Sequence, residues 1–128
     1  MVTDETTEQV RAIAIFRIFD EAKAREFYID WLGFKIDWED RPEDQPIYMQ
    51  ISRGELVIHL SEHHGDCCPG ARLFVTMSRN AVDQYFEELT AKDYKYNKPG
   101  MSSAPWTDAC FDVFDPFGNR ISFNATRP

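Results

Sequence analysis

The feature that most constrains this chain is an internal repeat. Phe16-Arg17-Ile18-Phe19-Asp20 leads into Ala24, Phe27, Tyr28, Trp31 and Leu32, a strand-like run followed by apolar residues at helical spacing. About 58 residues later, Phe74-Val75-Thr76-Met77-Ser78 followed by Val82, Tyr85, Phe86 and Leu89 repeats the pattern. One such unit buries a single face, so two copies are expected to pair their sheets around a concavity, where small ligands bind.

Length and charge narrow what that concavity can hold. With 128 residues the chain has room for one domain, residues 1–128, made of two half-sized modules that share a core. A formal charge of −8 disfavours a nucleic acid partner and suits a cationic or neutral one, or simply keeps the protein soluble. Three cysteines cannot all pair within the chain, and Cys67 and Cys68 are adjacent, where a disulfide is strained. Reduced thiols in the cytoplasm are the expectation. No apolar run has the length of a membrane span, and residues 3–9 are polar and acidic, unlike a secretory leader.

The order of elements is α+β. A strand over 11–19 enters a helix capped by Asp20 that runs to Leu32, and Gly33 ends it. Strands over 34–39, 47–52 and 55–61 complete a βαβββ module, with a charged, proline-containing loop at 40–46 and a tight turn at Arg53-Gly54. Residues 62–70 form a polar connection. The second βαβββ reads as strand 71–77, helix 80–92, a short strand at 94–97, a loop over 99–107, and strands 109–114 and 120–124 joined by Asp115-Pro116-Phe117-Gly118-Asn119. The modules thus cover about 11–61 and 71–125, forming curved mixed sheets around a cleft.

Strand parity separates core from cleft. Ala14, Phe16 and Ile18, with Leu56, Ile58 and Leu60, and with Ile121 and Phe123, form uniformly apolar sets that belong under the helices. The alternating mixed sets face the concavity: Ile13, Ile15 and Arg17; Val57, His59 and Ser61; Ser122 and Asn124; and Tyr48, Gln50 and Ser52.

Taken together, the paired βαβββ order, Phe27-Tyr28 leading into Trp31-Leu32-Gly33-Phe34, the Pro105-Trp106 pair and the closing Asp115-Pro116-Phe117-Gly118-Asn119-Arg120-Ile121 resemble the vicinal oxygen chelate superfamily. That superfamily includes glyoxalase I, extradiol dioxygenases, and fosfomycin and bleomycin resistance proteins. The resemblance implies four cleft positions where metal-dependent members carry His, Glu or Gln, and these align with Ile13, His59, Leu73 and Ser122. A retained divalent cation needs at least three protein ligands, so with His59 as the only good donor, and Gln50 the only nearby substitute, neither a metal site nor another cofactor is expected.

The branch that remains is the bleomycin resistance type, which sequesters a drug without altering it, commonly as a homodimer. In that branch Trp38 and Trp106 match aromatic positions that stack on the flat part of the antibiotic, so a bleomycin-class antibiotic is the implied small-molecule ligand. Tyr48, Gln50, His59 and Asp112 complete the expected binding set. Two readings of Trp38 stand, since its parity with Phe34 and Ile36 also suits a core residue. Arg17 is expected to pair with an acidic ligand group, or with Asp112 or Asp37.

Other chemistries are weaker. His59, Glu62, His63, His64, Asp66, Cys67 and Cys68 have zinc-binding residue types but not zinc-site spacing, and the latter residues read as a solvated connection. Cys67 or Cys68 with His63 or His64 as base is permitted but not positioned. No glycine-rich nucleotide motif or nucleophile elbow is present. The alternatives are a metal-dependent lyase or dioxygenase with unaligned ligands, and a binder of an unrelated metabolite.

Overall fold

The computed structural model describes residues 9–127. All of the N-terminal segment discussed above except Gln9 lies outside the described residues. The first module holds β1 (Ala14–Arg17), the helix α1, β2 (Lys35–Asp40), β3 (Tyr48–Arg53) and β4 (Leu56–Ser61). The second holds β5 (Arg72–Met77), α2 (Arg79–Ala91), β6 (Ser102–Ala104), β7 (Thr107–Phe114) and β8 (Arg120–Ala125). The two sheets have matching orders, β1-β4-β3-β2 and β5-β8-β7-β6, with the first pair parallel and the others antiparallel.

α1 starts at the cap expected from the sequence, and α2 starts at Arg79 behind a cap at Ser78 that the sequence reading did not name. The Asp20 carboxylate accepts the Lys23 N–H at 3.0 Å, and the Ser78 hydroxyl accepts that of Ala81 at 3.1 Å, so each satisfies an otherwise orphaned donor. α1 opens as an α-helix over Glu21–Ala24 and continues as a π-helix over Arg25–Trp31. Apolar spacing does not distinguish these windings. Gly33 ends it at φ +79°, a conformation that disfavours a side chain.

The modules share one core, in which Phe16, Tyr28, Ile58 and Leu60 join Tyr85, Phe111 and Phe123. The carbonyls at the end of α1 are satisfied by the second module: Leu32 accepts from the Tyr85 hydroxyl at 2.6 Å, and Trp31 from the Lys92 ammonium at 2.6 Å. Arg53 reaches across to Glu88 in a two-pronged ion pair at 2.8 and 2.9 Å.

One expected strand is corrected. Residues 94–97 form a turn, and the strand lies instead at Ser102–Ala104, inside the segment read as loop. Asp93, at φ +50°, redirects the chain after α2. Tyr94 then packs its ring 5.1 Å from that of Trp31 and donates its hydroxyl to Glu26 at 2.8 Å. The aromatic alternation at Tyr94 and Tyr96 mimics a strand although Tyr94 is an anchor onto α1.

Candidate functional site

On the first sheet, register brings Tyr48, Gln50 and His59 to one face, with Ile15 beside His59 on β1. Trp38 joins them because β2 bulges at Asp37: Ile36 pairs with Ile51 in the core register, and Trp38 pairs with Gln50 on the open face. The extra residue cancels the parity that had made a core tryptophan plausible. Trp38 is 44% exposed, lies parallel to Tyr48 at 6.0 Å and meets His59 edge-on at 5.3 Å.

These side chains form one hydrogen-bonded relay. The Tyr48 hydroxyl donates to His59 Nδ1 at 2.7 Å, His59 Nε2–H donates to Gln50 Oε1 at 3.0 Å, and Gln50 Nε2 donates to Asp37 Oδ2 at 3.0 Å. The order satisfies every member with a neutral imidazole. Burial lowers the His59 pKa, and burial together with the charge of Asp66 raises that of Tyr48, so the ring stays neutral and the phenol stays a donor near neutral pH. With both nitrogens engaged, His59 cannot bind a metal without breaking the relay.

On the second sheet, a cavity of about 890 Å³ opens against β7 and β8 and includes Trp106 and Asp112 in its wall. The Trp106 indole N–H donates to Asn124 at 3.0 Å, which fixes the ring while leaving the residue 55% exposed. Asp112 is ion-paired with Arg120, and Arg72 Nε donates to Ser122 Oγ at 3.2 Å. Burial alone would raise the Asp112 carboxyl, but hydrogen bonds from Ser122 and Arg120 and the charges of Arg120 and Arg72 outweigh it and hold the pKa low.

The six expected binding residues therefore fall into two groups. Trp38, Tyr48, Gln50 and His59 sit together on the first sheet; Trp106 and Asp112 sit on the second, and none of the first group lines the second-sheet cavity. The sequence reading missed Arg72 and Phe74, which share the open face with Ser122. Their signal was the parallel register of β5 with β8, which pairs Phe74 with Ser122 and Leu73 with the buried Ile121.

That register corrects one aligned metal position, because Leu73 lies on the core side of the sheet beside Ile121, packed against the core. The open-face neighbours of Ser122 are Arg72 and Phe74, and that of His59 is Ile15, none of them a divalent-metal ligand. The residues present do not fit the superfamily's metal. Arg17 is a second correction: it pairs with neither Asp112 nor Asp37, and its guanidinium instead lies 4.4 Å over Phe19 and donates to the Ile18 carbonyl.

The connection behaves as a structural strap. Asp66 accepts the Ser61 hydroxyl at 2.6 Å, and among the described residues no group of three or more His, Cys, Asp or Glu is arranged to hold a metal. Burial and Asp66 push the Cys67 thiol up against the opposing effect of Arg17, which disfavours the nucleophilic thiolate. The described helices include none long and apolar enough to cross a membrane.

Known structures share this fold. A bleomycin-binding protein from bleomycin-producing Streptomyces verticillus, solved with copper(II)-bleomycin, superposes with a TM-score of 0.66 at 23% identity, covering 94% of this chain and 98% of that one. An antibiotic binding protein from Streptomyces sp. CB03234 gives 0.69 at 20% identity, covering 94% and 99%. A glyoxalase family protein from Bacillus anthracis gives 0.66 at 20%, covering 94% and 98%. At these identities the likeness establishes the fold. No curated protein matches the chain in sequence. A family model described as glyoxalase superfamily protein matches residues 3–128, nearly the whole chain, and with the two-sheet fold this makes the chain a member of the glyoxalase superfamily.

Proposed function

We propose that this protein binds and sequesters a flat aromatic small molecule, in the manner its antibiotic-binding structural neighbours suggest, and releases it chemically unchanged. The observation that carries the reading is Trp106: its ring is held by Asn124, half exposed, on the wall of an 890 Å³ cavity. A rigid, exposed π face binds planar ligands at low entropic cost. Trp38, stacked on Tyr48 on the other sheet, offers a second such face. A homodimer that brings the two faces into one cleft belongs to this reading, as does a cytoplasmic location in keeping with the free Cys67, Cys68 and Cys110.

A bleomycin-class antibiotic is the first ligand to test. Metal-free and copper-loaded bleomycin are expected to quench tryptophan fluorescence and release heat in calorimetry, and the drug recovered afterwards should be unmodified. Attraction between a cationic drug and a chain of charge −8 should weaken as salt rises. Trp106→Ala should lose about 1 to 3 kcal/mol of binding while leaving the fold intact. Absence of both quenching and heat at high drug concentration would sink the bleomycin reading.

A further inference from the structure

The second-sheet cavity holds a guanidinium whose terminal nitrogens meet no hydrogen-bond acceptor among the described residues. Arg72 opens β5 and Arg120 opens β8, and the parallel register sets these two residues directly opposite one another. Like charges so placed repel unless something lies between them. Asp112 eases this repulsion by its charge, but its carboxylate is ion-paired with Arg120 and makes no ion pair with Arg72. Ser122 takes the Nε of Arg72, and no acceptor among the described residues meets its terminal nitrogens. Arg72 therefore presents the forked end of a guanidinium to the cavity, held by its own Nε bond, in the geometry that recognises an oxyanion.

Its surroundings say what the rest of the ligand is. Arg72, Phe74 and Trp106 together line a second, shallow pocket, and Arg72 and Trp106 also line the cavity. The two rings lie 6.3 Å apart and tilted by 57°, and both residues are more than half exposed. A carboxylate at Arg72 would thus have an aromatic corner beside it to receive a flat apolar body. The net charge of −8 opposes an anion only at long range, where salt screens it within roughly 10 Å, whereas a direct contact with Arg72 acts inside that distance.

We propose that the second-sheet cavity is a site for an aromatic carboxylate, with Arg72 as the receptor for the acid group and Phe74 and Trp106 as the wall for the ring. This rests on the sequestration reading above and adds to it the sign of charge the ligand carries at this end. The probes are 2-naphthoate and its uncharged amide, 2-naphthamide, titrated calorimetrically into the full chain. Wild type, Arg72→Gln, Arg72→Lys and Trp106→Ala are compared, with melting curves to confirm that each variant folds.

The acid is expected to bind about tenfold or more tighter than the amide, the scale of one charge-assisted contact. Arg72→Gln should erase that preference, Arg72→Lys should restore part of it, and Trp106→Ala should weaken both compounds. Equal affinity for acid and amide, or a preference that survives in Arg72→Gln, overturns the carboxylate site and leaves aromatic binding standing. Silence toward both probes from a protein that does bind bleomycin also overturns it. Silence toward bleomycin as well removes the sequestration reading beneath it.

Discussion

His59 shows how neighbours decide what an imidazole can do. Sequence resemblance aligns it with a metal-ligand position, but Tyr48 and Gln50 take both of its nitrogens. Burial lowers its pKa from 6.5, and the sign of the consequence follows. As pH falls below about 6.5 the unfolded chain takes up a proton that the native ring refuses, so native stability declines until the lowered native pKa is passed. His59→Gln removes this contribution. Between about pH 7.5 and about pH 5.5 the melting temperature of the wild type should therefore drop further than that of His59→Gln, a difference that cancels the other titrating groups. Parallel curves would mean that the imidazole is not held neutral by the fold.

At the scale of elements, the closing turn explains why its sequence is so particular. Asp115 Oδ1 accepts the N–H groups of Phe117 and Asn119, each at 2.8 Å, and its Oδ2 accepts the buried Tyr28 hydroxyl at 2.7 Å. Asn119, 1% exposed, donates to the Arg17 carbonyl and to Asp115, while its own oxygen accepts from Gly70 and Ala71. One turn thus ties β1, α1 and the connection to the second sheet. Asn119→Asp would replace both donor hydrogens with an acceptor facing two oxygens, burying an unpaired charge. It is expected to cost about 3 kcal/mol or more in denaturant unfolding, and a loss under about 1 kcal/mol would show that the turn is not the junction.

Local residue types make some of this fold legible in the sequence and leave other parts hidden. The Asp20 helix cap, hairpin turns and the apolar parity of β1, β4 and β8 are written in those types, and they hold in the fold. The bulge at Asp37, the turn at Tyr94 and the three-residue β6 were not legible. The first depends on hydrogen bonds from Gln50 and Ser52 across the sheet, and the second on packing against α1. Ser102–Ala104 lacks β-branched or aromatic residues and is defined by pairing to β7. The candidate site split along that line: His59 and Tyr48 were found by parity, whereas Arg72 and Phe74 depended on a register that parity within one strand cannot supply.

Over the whole molecule, the open faces remain to be accounted for. Ile15 and Trp38 on the first sheet, and Phe74, Trp106 and Phe114 on the second, are 40–55% exposed. Apolar groups gathered on a sheet face suit a surface that a partner covers, as the proposed homodimer would. A two-fold axis would lay the first sheet of one copy against the second sheet of the other, closing the assembly and giving two composite sites, each with Trp38 from one chain and Trp106 from its partner. Light scattering should then report about 30 kDa, twice the 14.9 kDa chain. Complementation is the sharper measurement. Trp38→Ala and Trp106→Ala are each expected to have only weakened sites, but a mixed dimer puts both defects into one cleft and leaves the other whole. Co-refolding equal amounts should therefore restore wild-type copper-bleomycin affinity at about one site in four, resolved by calorimetry, because half the dimers are mixed and each mixed dimer has one good site of two. If every site lay within one chain, mixing would restore none, and the composite cleft would fall even with a dimeric mass.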